Sequence, residues 1–94
     1  MSMFWKSKQE RCKGIVESVI SDDVSFHIWL TRVRDSLLIN EGNINNVYNE
    51  IATAISNEYD VHNKKVCMRA SMAIVTLLRM SVNRYEDLDF KYHG

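Results

Sequence analysis

Three histidines (His27, His62 and His93) and two cysteines (Cys12 and Cys67) are the residues here whose types most readily carry chemistry. Metal binding needs several such ligands converging at fixed distances, yet no two histidines stand three or four positions apart, and no HExxH, CxxC or HxH pattern occurs. His27 falls within an apolar helical segment and reads as a semi-buried packing residue. A reactive cysteine needs a polarised, partly exposed setting that lowers its pKa. Both thiols instead lie on apolar stripes expected to face a core, as small hydrophobes. Cys12 or Cys67 with His27 or His62 and Asp60 would be a triad by residue type alone.

Phosphate chemistry fares no better. A phosphate-cradling loop needs closely spaced glycines, and Gly14, Gly42 and Gly94 are isolated. The neighbouring acids Asp22 and Asp23, and Glu86 and Asp87, point in different directions on a helix and read as capping or solvated groups rather than an acid and base couple. The expectation is a non-enzymatic protein without metal or cofactor.

The elements that would position any surface are helical. With 94 residues, 46% of them hydrophobic, the chain suits one domain, placed here at 1–88 with a short tail at 89–94. Zero prolines and three glycines leave few of the turns an all-β chain requires. Cys12, Ile15, Val16, Val19 and Ile20 recur at the helical period and predict a first helix over about 3–20, extended by Phe4 and Trp5. After the capping cluster Ser21, Asp22 and Asp23, a second helix is predicted over 22–39. Its stripe is Phe26, Leu30, Val33 and Leu37, widened by Trp29 and Leu38, with Thr31, Arg32, Arg34 and Asp35 turned away. Asn40, Glu41 and Gly42 end it. Asn43 caps a third helix over 44–59 with Ile44, Val47, Tyr48, Ile51, Ile55 and Tyr59 inward. A fourth is predicted over 63–88, with one stripe of Cys67, Ala70, Ile74, Leu77 and Leu78 and a second of Met68, Met72, Val75 and Val82. The reading is an all-α, small four-helix bundle with a long, largely buried C-terminal helix.

The net charge is zero, but it is distributed in blocks. Residues 35–60 hold five acids and no Lys or Arg, and residues 61–84 hold five bases and no acid. The outer face of the third helix is rich in Asn, an amino acid that occurs eight times in the chain. Asn46, Asn49, Glu50, Asn57 and Glu58 are the candidate partner-binding residues, able to receive a basic protein by charge-assisted hydrogen bonds. The same face also makes sense as a solvated counterpart to the basic fourth helix. Met68, Met72 and Val75 are candidate dimer or partner contacts, methionine being adaptable at binding surfaces.

An inhibitor or immunity-type protein blocking a basic site, such as that of a nuclease toxin, is the leading expectation. The alternative is a small dimeric nucleic-acid-associated regulator presenting Lys64, Lys65 and Arg69, or a helical chaperone or subunit of a larger assembly. A pI near 6.8 is low for a nucleic-acid binder. The longest uncharged run, Ala70 to Leu78, is too short to span a bilayer, and the N-terminal segment lacks the pattern of a signal peptide. A cytoplasmic protein without a membrane partner is therefore expected.

Overall fold

The computed structural model describes the backbone of residues 8–93 and the side chains of residues 8–80. It is all-helical, with α1 at Lys8–Ile20, α2 at Asp23–Ile39, α3 at Ile44–Tyr59 and α4 at Lys64–His93. No strand occurs among the described residues. Phe4, Trp5 and the rest of the predicted start of α1 lie outside them, as do the side chains of Val82, Phe90 and Tyr92.

The boundaries follow from caps. Asp22 accepts hydrogen bonds through Oδ1 from the backbone N–H groups of Val24 at 2.8 Å and Ser25 at 3.2 Å, satisfying donors that the first turn of α2 leaves free. Helix α2 closes through Gly42, whose N–H donates to the Leu37 carbonyl at 2.9 Å. Gly42 holds φ +80°, a conformation that glycine adopts without steric cost. Asn43 then caps α3, accepting from the Asn46 N–H at 3.3 Å. Asp60 ends α3 in the left-handed region at φ 53°. Asn63 accepts from the Val66 N–H at 3.1 Å and so starts α4. That last helix runs to His93, past the expected end at 88.

Helix α4 packs on each of the other three, and its inward face is Val66, Cys67, Ala70, Ser71, Ile74, Val75 and Leu78. Ile15 and Val19 from α1, Trp29 and Val33 from α2, and Val47, Ile51 and Ile55 from α3 complete one core. Several expected inward positions are not inward. Leu77 and Met72 of α4 are exposed, because burial follows a single side of the helix between Val66 and Leu78. Ile20 and Leu38 are exposed as well. In α2 the buried face is centred on Trp29, Val33 and Ser36, which leaves Phe26, Leu30 and Leu37 at its half-buried margin and Leu38 beyond it. His27 is exposed rather than semi-buried, lying on the outer side of that helix.

One contact between α2 and α3 is aromatic and centred on Trp29. The Trp29 and Tyr59 rings stack with centroids 6.2 Å apart and planes 12° from parallel. The Arg32 guanidinium lies 4.5 Å from the Trp29 ring centroid, a cation–π geometry. Arg32 also reaches Glu58 at 3.8 Å. Burial pushes the Tyr59 hydroxyl above its ordinary pKa.

Candidate protein-binding face and the α3–α4 cleft

The five candidate residues of α3 divide by what their side chains already do. Three asparagines elsewhere in the chain use their amides locally: Asn43 and Asn63 cap helices, and Asn40 donates to the Ser36 carbonyl at 2.8 Å. Asn46, Asn49 and Asn57 are different. All three are exposed, and among the described residues their side-chain amides make no hydrogen bond within the chain. At 100° per residue they share the outer face of α3 with Thr53, so the helix presents a row of free donors and acceptors.

The two carboxylates sit to the α2 side of that row. The buried Ser36 hydroxyl donates to Glu50 Oε2 at 2.5 Å, and Asn40 Nδ2 donates to Ser36 Oγ at 3.2 Å. The Ser36 hydrogen bond, followed by the Asn40 amide, holds the Glu50 carboxyl below its usual pKa against a small opposing effect of burial. Glu50 therefore stays ionised at the edge of the amide row while also satisfying a buried hydroxyl. Glu58 is the exposed partner of Arg32. The sequence placed both acids correctly on α3 and missed that each is engaged by α2. The signal that could have revealed it is a serine, Ser36, at a position of α2 that an amphipathic pattern turns inward.

Beside the amide row, α3 and α4 enclose an open cleft of about 300 Å³. Ala52, Val61, Cys67 and Met68 give it apolar lining, and Asn49, Asn57 and Lys64 give it polar lining. Residues singled out separately, Asn49 and Asn57 of α3 and Met68 of α4, thus meet in one depression, while Asn46 lies outside it. The other members of the α4 set do not join them. Met72 is exposed outside the cleft, and Val75 is fully buried among the core side chains, so it is no surface contact.

The cleft holds limited reactive chemistry. Cys67 is buried, and burial pushes its thiol above the ordinary range, so at neutral pH it stays protonated and weakly nucleophilic. Its Sγ lies 3.5 Å from the Val61 carbonyl. Cys12, on α1, points its Sγ at the Val66 carbonyl at 3.4 Å, one residue before Cys67. The two thiols, 55 positions apart in sequence, therefore occupy the same α1–α4 neighbourhood. His62 and Asp60 pair at 3.1 Å, both highly exposed.

No family model, curated protein or solved structure matches this chain. Its surfaces must carry the functional argument.

Charge distribution adds the last element of the site. Among the described residues, no ion pair joins the cations of α4 to the acids of residues 35–60: Glu58 pairs with Arg32 of α2, and Asp60 lies against the His62 imidazole. Helices α3 and α4 pack through apolar side chains, and Glu50, Glu58, Lys64, Lys65 and Arg69 are exposed. Among the described residues, no three His, Cys, Asp or Glu side chains converge as metal ligands, and no helix is long and apolar enough to cross a membrane.

Proposed function

We propose that this chain is a non-enzymatic protein-binding module of the inhibitor or immunity type. It docks on a basic protein, such as a nuclease toxin, through the outer face of α3. The observation that carries this reading is the row of exposed amides Asn46, Asn49 and Asn57, without hydrogen-bond partners among the described residues, while Asn40, Asn43 and Asn63 are spent on the fold. Amides offer both donors and acceptors at little desolvation cost compared with carboxylates. The ionised Glu50 at their edge supplies the negative potential that attracts and orients a basic partner.

Capture of partners from the producing cell at two salt concentrations, followed by mass identification, tests the proposal. The combined variant Asn46→Lys, Asn49→Lys and Asn57→Lys changes only exposed positions. The expected result is one basic protein at fixed stoichiometry, bound more weakly at high salt and at least ten-fold more weakly by the variant. A bound protein whose affinity the triple variant leaves unchanged overturns the assignment of the face.

A nucleic-acid-associated regulator is the second reading, favoured by Lys64, Lys65, Arg69 and Arg79, which are exposed and unpaired among the described residues. Its mark is recovery of nucleic acid with affinity that falls steeply with salt and is lost in Lys65→Glu with Arg69→Glu. A chaperone or assembly subunit would instead give stable co-migration with an apolar partner.

A further inference from the structure

The chain holds two cysteines, and both are free thiols. Cys12 lies within the first two turns of α1, half-buried against the core, and turns its Sγ to the Val66 carbonyl of α4 at 3.4 Å. Cys67 is the next residue of α4, is 4% exposed, and turns its Sγ to the Val61 carbonyl at 3.5 Å. Covalent geometry caps the distance from the Val66 carbonyl oxygen to Cys67 Sγ at about 5.5 Å, so the two sulfurs lie no more than about 9 Å apart. Rotation about χ1 carries each Sγ by on the order of 3 Å between staggered positions. The exposed Arg11 guanidinium and the Cys12 thiol both act electrostatically on the Cys67 thiol, as expected of groups beside it.

We infer that Cys12 and Cys67 form a reversible disulfide that fastens α1 to the first turn of α4 when the chain meets a small disulfide such as oxidised glutathione. Cys12, the more accessible thiol, reacts first. Its thiolate attacks one sulfur of the oxidant, forming a mixed disulfide and releasing one glutathione thiolate. Cys67, as its thiolate, then attacks Cys12 Sγ and expels the second glutathione. The cysteine pair loses two electrons, the small disulfide gains them, and the two thiol protons end on the two glutathione thiols. Burial keeps Cys67 protonated and slow toward an outside reagent, but its own step is intramolecular once Cys12 carries glutathione.

The bond acts on the fold. It encloses most of α1 and all of α2 and α3 in one loop, and closing a long loop removes much of the freedom of the unfolded chain. Helix α1 packs on the core through Ile15 and Val19, one and two turns beyond Cys12, so the disulfide holds the end of an interface that apolar packing already closes. The amide face of α3 takes no part, and the inference stands apart from the proposed partner.

Equilibration of the full chain in glutathione buffers of graded ratio provides the test, with the oxidised species read by mass after alkylation and the link located by digestion. The expected product is a single chain lacking two hydrogens, blocked at both Cys12 and Cys67 and restored by dithiothreitol. It is expected to melt more than about 5 °C above the reduced chain. By linkage, the disulfide is then at least ten-fold more favoured in the folded chain than in strong urea. Cys12→Ser, a near-isosteric change at a half-buried position, is expected to leave Cys67 without glutathione, whereas Cys67→Ser stops at the mixed disulfide on Cys12. A melting temperature that oxidation leaves unchanged or lowers overturns the inference, as does a disulfide no more favoured in the folded chain than in urea. A wild-type chain that stops at the mixed disulfide, or that links Cys12 to Cys12 of a second chain, overturns it equally.

Discussion

Helices α2 and α3 are neighbours of nearly equal length, 17 and 16 residues, with opposite relations to solvent. In α3 the large apolar side chains are buried or half-buried and the outer face is amide and hydroxyl. In α2 the inward side is buried to the same degree, yet the outer side still carries four large hydrophobic groups. The outer face of α3 thus presents polar groups to water, whereas that of α2 keeps apolar groups exposed. The two helices therefore offer two kinds of surface, one suited to hydrogen bonding and one to hydrophobic pairing.

The joint between them is where the largest effect is expected. Trp29 is 2% exposed, stacks on Tyr59 and carries Arg32 above its ring, so its truncation opens a cavity and releases both neighbours. Trp29→Ala is expected to cost about 3 to 5 kcal/mol in thermal or urea unfolding. A variant within about 1 kcal/mol of the wild type would mean that the joint does not bind the two helices together. Next comes a contrast inside the comparison itself. Ile55→Ala, on the buried side of α3, is expected to cost about 2 to 5 kcal/mol. Leu38→Ala, on the bare side of α2, is expected to change the stability by less than about 0.5 kcal/mol. Equal losses at the two positions would show that the outer stripe of α2 is covered within the chain.

The same contrast explains what the sequence could and could not tell. Helix α3 was legible because polar and apolar residues alternate at one period, with Asn43 as cap, and its bounds match. Helix α2 was misjudged in phase. Its hydrophobic residues occur all round, so the pattern alone allowed Leu38 inward, and the burial of Ser36 is satisfied by the Glu50 carboxylate on another helix and by the Asn40 amide. Helix α4 posed the same ambiguity: Leu77 and Val75 are both apolar, and tertiary packing buries Val75 and exposes Leu77. The amide face was visible in the order of residues. That its flanking acids are engaged was not, because Arg32 and Ser36 are distant in sequence and pair only through the packing of α2 on α3.

Smaller effects are expected at the caps. Asn43→Ala removes a single acceptor from the first turn of α3 and is expected to cost about 1 kcal/mol. Asp22→Ala removes an acceptor for two backbone N–H groups and for the Ser25 hydroxyl, which donates at 2.8 Å. The α2 cap should therefore lower the melting temperature more than the α3 cap does. The reverse order would mean that α2 is held by packing rather than by its N-terminal turn.

Glu50 gives the finest measurement, because its effect depends on pH. Its carboxyl is held below the ordinary glutamate value by the Ser36 hydroxyl and then the Asn40 amide. A group whose folded pKa is depressed adds stability that is fully present above the unfolded pKa, about 4.3, and is lost as pH falls through the folded value. Glu50→Gln keeps the shape and can still accept from Ser36, but it lacks the charge that strengthens the bond. The variant is thus expected to be slightly less stable than the wild type at pH 7, with the two curves converging as pH falls through the folded value. A difference that persists unchanged into acid would assign the effect to packing of the side chain instead. A convergence that disappears in Ser36→Ala would place the coupling in the hydroxyl, tying the amide face of α3 to the buried side of α2.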